Sequence, residues 1–190
     1  MTVAESLGAL PRGDLWVFGY GSLMWSPDFR FLERRPGIVY GYHRSLCIYS
    51  HRHRGTPEVP GLVLGLKRGG SCWGIVFRVS RRSAPAALAT LWRREMRGKV
   101  YQPRLLRVRV GARRTVRAVS FVADPEHRQH ARDLELAQTA RLVAQGSGQR
   151  GHNLEYLDRT LAHMRSLGVR DPHLEKVLAA ARALRGGARI

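Results

Sequence analysis

A strand-length apolar run, Leu15 to Phe18, breaks at two glycines that flank one aromatic, in the stretch Trp16-Val17-Phe18-Gly19-Tyr20-Gly21-Ser22-Leu23-Met24-Trp25. The run has the length and composition of a buried strand. Glycine tolerates backbone conformations that other residues avoid, and it lets a ligand approach the main chain closely. Ser26-Pro27-Asp28 follows, with Ser26 placed as an N-cap and Pro27 at the first helical position. The stretch therefore reads as strand, glycine loop, short helix. Such a loop turns successive N–H groups toward one point, which suits a carboxylate or a phosphate. An ordinary glycine turn has the same spacing, and both readings stand at this level. The pattern is neither GxGxxG nor a Walker loop, so no nucleotide is implied.

The rest of the chain has to supply a core for that strand. Its 190 residues suffice for one domain, and no linker divides them. Residues 15–185 read as that single domain, 1–14 as a loose lead-in without the pattern of a signal peptide, and 186–190 as a frayed tail. No apolar run approaches the ~18 residues needed to span a bilayer. Cys47 and Cys72 are the only cysteines and form no CxxC, which fits two buried thiols in a reducing cytoplasm. The formal net charge of +19 invites a nucleic-acid partner. Yet Lys occurs only at 67, 99 and 176, the arginines are scattered through strands and helices, and no RRM, KH, zinc-finger or helix-turn-helix signature is present. A compositional bias toward Arg explains the charge as well, so nucleic acid is not the expected partner.

Ile38 to Tyr49 is rich in aromatic and β-branched residues and reads as a long strand, with Gly41 marking a bulge or a close approach. In the loop that follows, His51-x-His53 lacks a third ligand nearby, so a solvated basic loop is expected rather than a metal site. Leu62 to Leu66 and Cys72 to Val79 are expected to form a hairpin about Arg68-Gly69-Gly70-Ser71. Val100 to Val110 and Thr115 to Val122 make two further strands. Helices are expected over Arg132 to Gln145, from an Asn153 N-cap with Leu154, Leu157, Leu161 and Met164 buried, and from Asp171-Pro172 with Leu174, Val177, Leu178, Ala181 and Leu184 inward. Strands in runs followed by helices argue for an α+β fold with mainly antiparallel pairing.

One helix, capped at Ser83 with Pro85 near its start, carries a residue out of place. Leu88, Leu91, Trp92 and Glu95 follow i, i+3, i+4, i+7, so Glu95 lies on the apolar stripe. A carboxylate there loses hydration, which raises its pKa and suits it to moving protons near neutral pH. A helix-end Glu paired with Arg93, Arg94 or Arg97 fits the same spacing. Tyr156 sits beside the stripe of its helix, where it either faces a cleft or is a structural, half-buried Tyr.

Phe18-Gly19-Tyr20-Gly21-Ser22-Leu23 resembles the YGSL loop of the γ-glutamylcyclotransferases, and the match through Trp25 and Pro27-Asp28-Phe29 resembles their glutathione-specific ChaC branch. Three further segments are similar to that family: His53-Arg54-Gly55-Thr56-Pro57-Glu58 with Pro60-Gly61, Leu91-Trp92-Arg93-Arg94-Glu95, and Gly151-His152-Asn153-Leu154-Glu155-Tyr156-Leu157. Trp92 replaces the family's usual Asp. Asp124-Pro125-Glu126-His127 stands where relatives carry an Asn-Pro-x-Tyr-Leu-Gly-Pro segment that helps cover the substrate. The resemblance implies a small β-barrel with flanking helices. It implies cleavage of glutathione to 5-oxoproline and Cys-Gly; the alternatives are a cyclotransferase for other γ-glutamyl amines or peptides, or a non-catalytic nucleic-acid-binding module on the same fold. It assigns proton transfer to Glu95 and substrate binding to Gly19, Tyr20, Gly21, Ser22, Leu23, Met24 and Tyr156. No metal or organic cofactor is implied.

Overall fold

The computed structural model describes residue 7 and residues 13–187. Five strands, β1 (Leu15–Gly19), β2 (Glu33–Ser50), β3 (Gly61–Val79), β4 (Tyr101–Val110) and β5 (Arg114–Ala123), close into a barrel in the order β1-β3-β2-β4-β5. β1 pairs antiparallel with β3, from Leu15↔Val79 to Gly19↔Ile75, and parallel with β5, at Trp16↔Ala118 and Val17↔Val119. All five of its residues are buried, which explains why its sequence is continuously apolar rather than alternating. β4 and β5 alternate instead. Leu106, Val108 and Val110 point inward with Val116 and Ala118, while Arg107 stands directly opposite Arg117 on the exposed side. The remaining elements are α1 (Ala84–Glu95), α2 (Leu136–Gln145), two-residue strands β6 (Ser147–Gly148) and β7 (Gly151–His152), α3 (Asn153–Ser166) and α4 (Pro172–Gly186). The architecture is thus the expected α+β barrel with flanking helices, mixed at the single parallel pair.

The chain groups into two compact units, Met1–Ser45 with Gly65–His127, and Leu46–Leu64 with Arg128–Ile190. In the first unit the core is Val17, Phe18, Met24, Phe77, Leu91, Val108 and Phe121, all essentially sealed from solvent. In the second, α2, α3 and α4 pack on one another through Ala140, Val143, Leu157, Leu161, Val177 and Ala181. There the loop after β2 lies against the start of β3 and against β6 at backbone distance. A Cβ on Gly61 would stand 2.1 Å from the Arg54 carbonyl oxygen, and one on Gly148 would stand 2.5 Å from that of Arg52. Only glycine permits so close an approach.

Several expectations are corrected. The hairpin over Leu62 to Val79 does not form. Gly69 and Gly70 take positive φ, 95° and 67°, yet the chain runs on as one strand, so the glycines absorb an irregularity rather than reverse direction. At Gly41 the φ is +82° and nothing lies within 4 Å of a would-be Cβ, so it serves the backbone conformation and not a close approach. α2 begins at Leu136, held by a capping box between Glu135 and Gln138, not at Arg132. Leu154 is only half-buried and Leu184 is exposed. Arg185 and Gly186 are still helical, and the tail beyond Gly187 lies outside the described residues, as does most of the lead-in. Asp14 of the lead-in is tied down, accepting from Arg78 Nη1 at 2.9 Å and from the Arg81 N–H at 3.1 Å.

Asn153 is not the N-cap either. His152 holds that position, and Asn153 is the first helical residue, fully buried. Its amide spans β3, accepting from the Leu62 N–H at 2.6 Å and donating to the Leu62 carbonyl at 2.7 Å. Asn153→Ala would leave both Leu62 groups unsatisfied in the interior. It is expected to cost about 2 kcal/mol of stability, read as a lower denaturant midpoint with an unchanged slope. A variant within a few tenths of a kcal/mol of wild type would show that another acceptor replaces the amide.

Candidate active site

The glycine loop folds because its own N–H groups close a turn. The 3₁₀ turn Ser22–Met24 is made by Met24 N–H donating to the Gly21 carbonyl at 2.9 Å, and Ser26 N–H donates to the Ser22 carbonyl at 2.9 Å. No helix starts at Ser26, contrary to the sequence expectation. Asp28 takes a left-handed φ of 57°, and the Ser26 hydroxyl donates to Asp28 Oδ1 at 2.8 Å instead of capping. Met24 spends its N–H on the turn, so the N–H groups that the turn leaves over are those of Gly21, Ser22 and Leu23.

The side chains of Tyr20, Leu23 and Met24 are buried, and the Tyr20 hydroxyl donates to the Phe121 carbonyl at 2.7 Å. These residues therefore present main chain, not side chain, to a ligand. Gly19 is fixed by space, since a Cβ there would meet Leu23 Cβ at 2.8 Å. From below, Gly74 of β3 allows the Gly19 carbonyl to lie 2.3 Å from where its own Cβ would be. Gly74 is a residue of this site that the sequence reading did not single out.

Arg94, one of the three arginines the sequence offered as a partner for Glu95, joins the loop to it. Its guanidinium donates from Nη2 to Ser22 Oγ at 2.8 Å, from Nη1 to the Ser26 carbonyl and to Asp28 Oδ2, the latter at 2.5 Å, and its Nε lies 3.1 Å from Glu95 Oε1. The Arg94 side chain is 8% exposed and that of Glu95 17%. Glu95 is thus ion-paired with one of the three arginines the sequence offered, and its carboxylate is also largely withdrawn from water. Glu95 is the last residue of α1, the end at which the helix dipole disfavours a carboxylate. Arg94 supplies the countercharge there.

A second arginine reaches the loop from the other side. Arg44 of β2 is 9% exposed and donates from Nε to the Tyr20 carbonyl at 2.7 Å and from Nη2 to the Trp73 carbonyl at 2.5 Å.

Tyr156 belongs to the second unit. It is buried, its hydroxyl accepts from the Leu64 N–H at 3.2 Å, and the Arg54 guanidinium lies 5.2 Å from its ring centroid. Burial pushes the Arg54 guanidinium below its ordinary pKa, and Tyr156 and Glu155 partly offset that. The Gly19–Met24 loop, Arg44, Arg94 and Glu95 therefore stand together in the first unit, and Tyr156 is held within the second. Among the described residues no group of three His, Cys, Asp or Glu is placed to hold a metal ion, and no helix is long and apolar enough to cross a membrane.

The family model described as ChaC-like protein matches residues 15–184. The glutathione-specific γ-glutamylcyclotransferase of Escherichia coli K12 is 35% identical over 184 residues, 96% of this chain and 80% of that protein. The glutathione-specific γ-glutamylcyclotransferase 1 of Danio rerio is 34% identical, with 89% of each chain covered. Among solved structures, a γ-glutamyl cyclotransferase specific to glutathione from yeast superposes with a TM-score of 0.85 over 94% of this chain and all of that one, at 19% identity.

Proposed function

The chain belongs to the ChaC-like family, and from that premise we infer that it is a glutathione-specific γ-glutamylcyclotransferase, an enzyme that forms 5-oxoproline. The observation that carries the site is the Ser22–Arg94–Glu95 chain of contacts, which sets a substrate loop beside a carboxylate of low exposure.

The chemistry is an intramolecular aminolysis. The α-amine of the γ-glutamyl group attacks its own γ-carbonyl carbon, closing a five-membered lactam. The amide bond to cysteine then breaks, and Cys-Gly leaves as the amine. The nucleophile is tethered, so the protein has to fold the substrate and manage one proton. Glu95 takes that proton from the ammonium and returns it to the departing nitrogen. No water is consumed. The N–H groups of Gly21 and Ser22 grip the γ-glutamyl carboxylate, and Gly19, Tyr20, Leu23 and Met24 hold them in place. Both cysteines are buried and neither is in a disulfide, which supports a cytoplasmic setting.

The test is 5-oxoproline release by the purified protein from glutathione, run beside γ-glutamyl-amino acids. Glutathione is expected to have the higher kcat/KM. Preference for the amino-acid derivatives would move the protein to the alternative of a cyclotransferase for other γ-glutamyl amines, and release from neither would end the enzymatic reading.

A further inference from the structure

We propose that Arg44 is the positioning residue and countercharge for the substrate's α-carboxylate, acting through the Tyr20–Gly21 peptide. The inference rests on the cyclotransferase reading of the loop. It starts from an anomaly of charge. Arg44 is more than nine-tenths buried, yet among the described residues it makes no ion pair, only the two bonds to the carbonyls of Tyr20 and Trp73. Buried charges are ordinarily paired, because desolvation of an isolated ion is costly. Arg94, buried to the same degree, has Asp28 and Glu95 as partners. A buried guanidinium with no protein anion, bonded to the carbonyl that precedes N–H groups the turn leaves over, marks a place for an anionic ligand.

The geometry states where the anion sits. The Tyr20–Gly21 peptide is trans, so its N–H and C=O point in opposite directions. Arg44 Nε holds the Tyr20 oxygen at 2.7 Å. The Gly21 N–H is thereby aimed away from Arg44, with the positive charge behind it reinforcing the peptide dipole. The Gly21 carbonyl is likewise fixed by the Met24 N–H, which orients the following Ser22 N–H. A carboxylate at this pair of donors lies beside Ser22, and Arg94 ties Ser22 to Glu95. In a γ-glutamyl group the α-amine is borne on the carbon next to the α-carboxylate, so anchoring the one delivers the other to Glu95. The glycine-end carboxylate of glutathione offers no such delivery.

The test compares glutathione with its analogue carrying an α-carboxamide in place of the γ-glutamyl α-carboxylate. Binding of each is measured by calorimetry, and turnover separately, in wild type, Arg44→Met and Arg44→Lys. Wild type is expected to prefer the carboxylate by tenfold or more, Arg44→Met to lose most of that preference, and Arg44→Lys to keep part of it. The loss should fall on KM for glutathione, with kcat within about threefold. A purely structural brace would weaken both ligands equally, so an undiminished ratio in a folded Arg44→Met or Arg44→Lys variant overturns the proposal, as does a wild type without preference. Calorimetry does not depend on catalysis. A wild type that binds with the expected preference but releases no 5-oxoproline would sink the enzymatic reading and leave the role of Arg44 standing. If Arg44→Met does not fold, Arg44→Lys and Arg44→Gln decide by the same ratio.

Discussion

Glu95→Gln is expected to lower glutathione turnover by about 10²–10⁴-fold, the span that general-base catalysis usually supplies. Gln keeps the length and shape of the side chain and still accepts a hydrogen bond, so the Arg94 contact can persist. What it cannot do is take a proton from the ammonium. Affinity for glutathione should change far less, because the Gly19–Met24 loop and Arg44 are untouched. The substitution also removes a carboxylate that sits at the unfavourable end of α1 and is only 17% exposed. Stability is expected to change little, because Gln can still accept from Arg94 Nε and Arg94 keeps Asp28, Ser22 and the Ser26 carbonyl as partners. Single-turnover and steady-state rates with a parallel calorimetric titration give the answer. Near-normal turnover in the folded variant would remove Glu95 from the mechanism and return it to the role of an ion-paired helix end.

Arg94→Met is the second large effect, and it should appear in stability as well as in rate. Met preserves the apolar stem but removes the guanidinium that lies beside the Glu95 carboxylate in a site of low exposure. Breaking a buried pair by removing one partner typically costs ~3–5 kcal/mol. The lower end is expected here. Asp28, the other acid, is 45% exposed and so gains little from the pairing. Turnover should fall too, since Ser22, the Ser26 carbonyl and Glu95 lose their common donor. Arg94→Lys keeps the charge yet cannot span the acceptors at once, so it should recover stability more than rate. The combined Arg94→Met, Glu95→Gln protein should regain part of the lost stability, because the carboxylate that Arg94 faced is gone with it. Denaturant unfolding of the three proteins checks this, and wild-type stability in Arg94→Met would mean the network is incidental.

The parts of this site that the sequence announced are those with a periodic or compositional signature. The Leu15–Gly19 strand was legible because a strand paired on both sides must be apolar on both faces. Glu95 was legible because a carboxylate breaks an apolar stripe. Arg44 carried no such mark, and Arg94 stood only as one of three possible partners for Glu95, since in a chain with 33 basic residues, nearly all Arg, a buried one looks like the rest. The misread elements share one cause, which is a side chain or glycine used by tertiary contact in place of its local habit. Asn153 left its helix end for the backbone of Leu62, and Ser26 and Asp28 were drawn to each other and to Arg94. Gly69 and Gly70 have the letters of a turn, but a strand with partners along its length continues through them. Gly74 was invisible for the plainest reason, because its role is to be absent where Gly19 needs room.

The register that places Arg107 against Arg117 has a consequence of another kind. Like charges directly opposite each other across a strand pair repel, and neither β4 nor β5 contains an acidic residue to relieve them. The same holds in weaker form over a surface carrying +19. Dissolved ions at about 0.1 M confine such fields to ~10 Å. In dilute buffer the protein has to bear its own repulsion, and in concentrated buffer its surroundings bear it. Its ionic medium thus acts on the fold in the opposite sense from a protein knit by surface ion pairs.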